Sequence, residues 1–168
     1  MRSIATLVAA GTLLFAAAAQ ADDASFYTKA AQGGMAEVMA GKLAATKAVN
    51  GAVRDFGAMM VKDHTAANKK LADIAKAKGV TLPQTAGEEH LAQYKSLQSE
   101  QGTRFDAAYM AHQVKAHEET VELLKSEIAS GQDTEARAFA QEILPTVEAH
   151  LREARRLTGK PASEPAAD

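Results

Sequence analysis

The chain contains no cysteine. Disulfides, thiolate ligands and cysteine nucleophiles are thereby excluded together, as is a lipid anchor on a cysteine. Tryptophan is also missing, and the 168 residues hold only five phenylalanines and three tyrosines. Strand-forming residues are sparse while alanine is abundant, a balance that favours closely packed helices over a sheet. No sign of charge dominates, the formal net charge being −2. Without a basic stripe and aromatic platforms, nothing points to nucleic acid as a partner. Nucleophile elbows, phosphate loops and zinc-protease motifs are absent as well. The sequence therefore favours a binding or structural role over an enzyme, and names no substrate.

What is present begins with an export signal. Met1-Arg2-Ser3 is a short positive start, Ile4 to Ala19 is apolar and uncharged, and Ala19-Gln20-Ala21 is a small-x-small cleavage pattern before Asp22-Asp23. That order predicts a cleaved secretory signal peptide over residues 1–21 and a periplasmic location. The apolar run is short for a membrane span, which needs about 20 residues, so no transmembrane segment is expected in the mature chain. Residues 22–158 make one domain, and the Pro/Ala/Ser/acidic stretch at 159–168 reads as a disordered tail.

Hydrophobic spacing of three, four and seven predicts helices over about 24–47, 52–78, 104–129 and 134–157. Asp22 or Asp23 is a candidate cap for the first, and Asn50 for the second. Gly79 ends the second helix behind a lysine-rich last turn. A shorter helix over 88–98 interrupts the connection between the second and third. Pro145 lies inside the last helix, where a kink is expected. The fold class is all-α, an antiparallel four-helix bundle with a short helix in the crossover, which favours a ferritin-like connection over a lateral loop.

Three of the five histidines repeat one local pattern, valine followed three residues later by histidine: Val61/His64, Val114/His117 and Val147/His150. Each continues the apolar stripe of a different helix and lies near mid-length. Glu37 aligns with Gly34 and Gly41 near the middle of the first helix. A buried imidazole needs partners and a buried carboxylate must be paired or neutralised. One divalent ion (zinc, copper, nickel or iron) would satisfy Glu37, His64, His117 and His150 together. The competing reading is a polar histidine core without metal, in a structural or stress-related interaction module. Asp63 and Tyr109 are expected to support the ligands from behind. His90, in the crossover, is expected to be exposed, and His112 to point away from the His117 face towards a surface or interface. The methionines, although soft ligands for copper, sit at helical spacing and read as core filler.

Gly33-Gly34-Met35-Ala36-Glu37-Val38, Met60-Val61-Lys62-Asp63-His64-Thr65, Phe105-Asp106-Ala107-Ala108-Tyr109, Val114-Lys115-Ala116-His117 and Leu144-Pro145-Thr146-Val147-Glu148-Ala149-His150-Leu151 occur in this order. As a set they resemble the bacterial exported domain-of-unknown-function 4142 family, whose members are often labelled outer-membrane proteins. The resemblance implies a ferritin-like bundle and supplies no activity. The alternating strands of an outer-membrane barrel are not present, so a periplasmic protein associated with the envelope or with copies of itself is the expectation. Ferritin-like di-iron centres carry Glu-x-x-His on two helices. Here Val61, Val114 and Val147 stand at the glutamate position, which argues against iron storage or di-iron oxidation.

Overall fold

The computed structural model describes residues 13–159, with side chains from Asp23 onward. Most of the signal-peptide reading and the tail from residue 160 lie outside these residues. The described chain is all-helical: α1 (Leu13–Lys47), α2 (Gly51–Lys78), α3 (Glu88–Ser99), α4 (Gly102–Ser130) and α5 (Thr134–Leu157). Among the described residues no helix is long and apolar enough to cross a membrane.

Local chemistry explains most of the boundaries. The Asn50 side chain accepts the Ala52 N–H at 2.9 Å and caps α2, and Asp133 does the same for α5 through the Glu135 and Ala136 N–H groups. These caps satisfy donors that have no partner inside the helix. Gly79 closes α2 at φ 70°, a left-handed conformation suited to glycine. One boundary differs from the sequence expectation. The backbone of α1 is already helical from Leu13, because Leu13 to Ala21 is rich in alanine and leucine and holds no glycine or proline. In the full-length chain Asp23 is therefore inside the helix and does not cap it. Its carboxylate instead accepts the Gln132 N–H at the α4–α5 turn. α5 continues unbroken through Pro145.

α1 packs chiefly on α2 and α4 on α5, and the two hairpins meet along α1–α4 and α2–α5. Gly41 and Gly57 let α1 and α2 approach closely. A Cβ on Gly57 would lie 2.8 Å from the Gly41 carbonyl oxygen and 2.9 Å from the Ala45 nitrogen.

Polar contacts at the two ends fix the directions. At one end, Tyr27 of α1 donates to Asp133 at the start of α5, and Lys78 at the end of α2 pairs with the same carboxylate at 2.9 Å. At the other end, the buried Asp106 near the start of α4 accepts the Val49 and Asn50 N–H groups at 3.1 and 2.8 Å. α2 and α4 thus run parallel, so the segment between them crosses the full length of the molecule. α3 lies in that crossover, against α1 and α4. This is the ferritin-like connection, not the lateral loop.

Candidate metal centre

The repeated histidines converge. His64, His117 and His150 come from α2, α4 and α5, and their ring centroids are 5.5–5.7 Å apart. One nitrogen from each lies within 4.8 Å of the other two. All three side chains are buried, His117 to 1% exposure. Phe56 covers His117 and His150, with centroid distances of 6.4 and 6.5 Å.

Hydrogen bonding sets two of the tautomers. His117 Nδ1–H donates to the Gln113 main-chain oxygen at 2.9 Å, since a carbonyl can only accept. His150 Nε2–H donates to the Asp63 carboxylate at 3.0 Å. The remaining lone pairs are therefore His117 Nε2 and His150 Nδ1. Both atoms are buried without a hydrogen-bond partner, as is His64 Nε2. A histidine oriented through one nitrogen by a carbonyl or carboxylate, with its other nitrogen bare, is the usual arrangement of a metal ligand.

Electrostatics keeps these rings neutral. Burial, reinforced by repulsion from His117 and His150, pushes the His64 pKa down to about 3. Burial alone pushes His117 down to about 4 against the opposing Gln113 hydrogen bond. Burial also lowers His150, with Asp63 pulling the other way. Neutral imidazoles are the ligating form, available here well below neutral pH.

Glu37 of α1 is buried but stands outside the three-nitrogen group. It accepts the Gln113 side-chain amide at 2.7 Å. Gln113 thus ties Glu37 to His117, one through its side chain and the other through its main chain. Burial raises the Glu37 carboxyl above its ordinary range, with the Gln113 hydrogen bond and nearby histidines opposing. Asp63, on the turn next to His64, reaches across to α5 rather than to its neighbour. Tyr109 is fully buried, stacked on Phe105 at 6.0 Å, and its hydroxyl has no hydrogen-bond partner. His90 is half-buried rather than exposed, because α3 lies against α1 and α4 instead of standing in solvent, and His112 is half-buried as well.

Gln113 is the participant that sequence reasoning missed. It lies four residues before His117 on the same helix face, and that spacing was the available signal.

The solved structures similar to this chain share its fold. A DUF305 fragment from Deinococcus radiodurans matches at a TM-score of 0.72 and 12% identity, covering 82% of this chain and 95% of that one. A conserved hypothetical protein from Mycobacterium tuberculosis matches at 0.65 and 16%, covering 89% and 99%. They support a ferritin-like helical fold. No curated protein matches the chain. The family profile described as "Domain of unknown function (DUF4142)" matches residues 10–157.

Proposed function

The chain belongs to the DUF4142 family, and we propose that it holds one transition-metal ion between His64, His117 and His150 in the core of an exported four-helix bundle. The observation that carries this reading is that three buried histidines each keep a ring nitrogen without a hydrogen-bond partner, and that each offers a nitrogen within 4.8 Å of one from the other two. Leaving a buried acceptor unpaired costs about 1–3 kcal/mol. One cation placed between the three relieves all of them at once. Three imidazoles suit zinc, copper, nickel or iron, and they leave a fourth position on a tetrahedral ion. Glu37 is the group we assign to that position, either directly after a side-chain rotation or through a water. Its negative charge would offset part of the ion's.

A second reading rests on His64, whose tautomer no partner of Nε2 fixes. With the proton on His64 Nε2, a single water could accept from it and donate to His117 Nε2 and His150 Nδ1. That arrangement is a polar core without metal, as a structural or stress-related module would have. The two occupants require opposite tautomers at His64.

We place the protein in the periplasm, on the strength of the leader pattern in residues 1–21. The mass of the protein recovered from a periplasmic extract tests this: cleavage after Ala21 is expected, and an intact leader would contradict it. For the centre itself, calorimetric titration of the metal-free protein with zinc, copper, nickel and ferrous iron in turn is the test. At least one should bind with a stoichiometry near one and lose that binding in His117→Ala. Absence of saturable binding by all four would eliminate the metal in favour of the hydrated core.

A further inference from the structure

The three histidines are buried, so a metal needs a way in, and the fold places unassigned ligating groups on one side of them. α3 runs parallel to α1. Gly87 at its start lies against Gln32, since a Cβ there would be 2.9 Å from Gln32 Nε2, and Lys47 at the end of α1 donates to the Gln98 carbonyl near the end of α3. His90 is three residues beyond Gly87 and Glu37 is five beyond Gln32. At a rise of about 1.5 Å per residue the two are level to within about 3 Å. On α4, His112 directly precedes Gln113, whose side chain holds Glu37. His90 and His112 are both half-buried, whereas Glu37 is buried. Burial lowers the His112 pKa while the Glu37 charge raises it, as expected if the two groups face one another.

We propose that the seam between α1, α3 and α4 is the path by which the ion reaches the centre, with His90 and His112 as transient outer ligands and Glu37 as the inner one. The inference rests on the metal reading above. A hydrated divalent ion gives up its waters at high cost, and stepwise exchange for imidazole and carboxylate divides that cost. On the α2–α5 side the half-buried Asp63 is already engaged by His150 Nε2–H.

A path differs from a binding site in its kinetics. Removing groups that ease passage slows arrival and departure equally and leaves the equilibrium unchanged. The test is stopped-flow transfer of zinc from a chromophoric chelator to the full-length metal-free protein, and back to excess EDTA. The variant His90→Ala/His112→Ala is expected to load and release zinc about tenfold more slowly, with Kd and stoichiometry unchanged. His90→Glu in the His112→Ala background, which restores a ligating group, is expected to recover much of the rate. Unchanged rates in the double variant overturn the path while leaving the metal centre intact. A double variant that binds zinc more weakly, with arrival unaltered, also overturns it, because the two histidines would then be ligands. If the unmodified protein takes up no metal, the path falls together with the centre.

Discussion

Replacing His117 by leucine should reverse the stability ranking of the protein according to whether metal is present. The ring is 1% exposed, and its Nε2 has no partner. Removing a buried unpaired acceptor recovers about 1–3 kcal/mol. The substitution also removes the hydrogen bond from His117 Nδ1–H to the Gln113 carbonyl, worth about 1 kcal/mol net. That carbonyl keeps its helical partner, the His117 main-chain N–H, so no new unpaired group is created. Leucine is apolar and not much different in volume, and it retains contact with Phe56. In EDTA, His117→Leu should therefore be as stable as the parent or more stable by up to about 2 kcal/mol. With metal at about a thousand times Kd, the parent gains about 4 kcal/mol and the variant nothing. For a domain of this size that is about 10 °C in Tm. Urea and thermal unfolding of both proteins, with EDTA and with the metal that binds, measure all four states. A variant more than about 1 kcal/mol less stable than the parent in EDTA would contradict an unpaired His117 Nε2. It would mean that the histidines already satisfy one another.

Other consequences follow from the same geometry. Asp63→Asn should weaken metal binding about 10–100-fold by loosening the His150 ring that Asp63 orients, measured by chelator competition. Gly57→Ala should destabilise the protein by about 1–3 kcal/mol, because the added methyl meets the α1 backbone. Gly33→Ala, which meets nothing within 4 Å, should stabilise it by about 0.5–1 kcal/mol through helix propensity; urea midpoints distinguish the two. In the metal-free protein, the His64 and His117 pKa values lie below the unfolded value of about 6.5. Their contribution is fully present above pH 6.5 and is lost as pH falls from there towards about 4 for His117 and about 3 for His64, since the unfolded chain then binds more protons. Each group contributes a slope of about 1.4 kcal/mol per pH unit. Subtracting the His117→Leu profile from the parent's should isolate one such slope from the carboxylates.

The helices and two of their caps were legible in the sequence because those signals are local. Asn50 and Gly79 act on backbone groups within a turn of themselves, and the apolar spacing of α2, α4 and α5 is strong. The start of α1 was less legible for the converse reason: Asp22-Asp23 resembles a cap, yet in the full-length chain no residue from Leu13 to Ala21 stops a helix. The convergence of His64, His117 and His150 was legible because the valine–histidine repeat marks one inner face on each of three helices. What surrounds them was less so. Whether Asp63 meets His150 depends on α2 and α5 being neighbours, and the half-burial of His90 depends on where the crossover helix lies. Gln113 could not be separated from an ordinary solvated glutamine until α1 was seen to bring Glu37 against it. These are tertiary facts, and spacing within one helix does not contain them.

What surrounds the bound ion decides whether the three histidines hold it. X-ray absorption of the zinc-loaded protein, compared with His64→Ala, His117→Ala and His150→Ala, measures it. Three imidazole nitrogens at about 2.0–2.1 Å, with each substitution removing one or abolishing binding, is the predicted result. An oxygen-only shell, or a shell indifferent to these three substitutions, would contradict it.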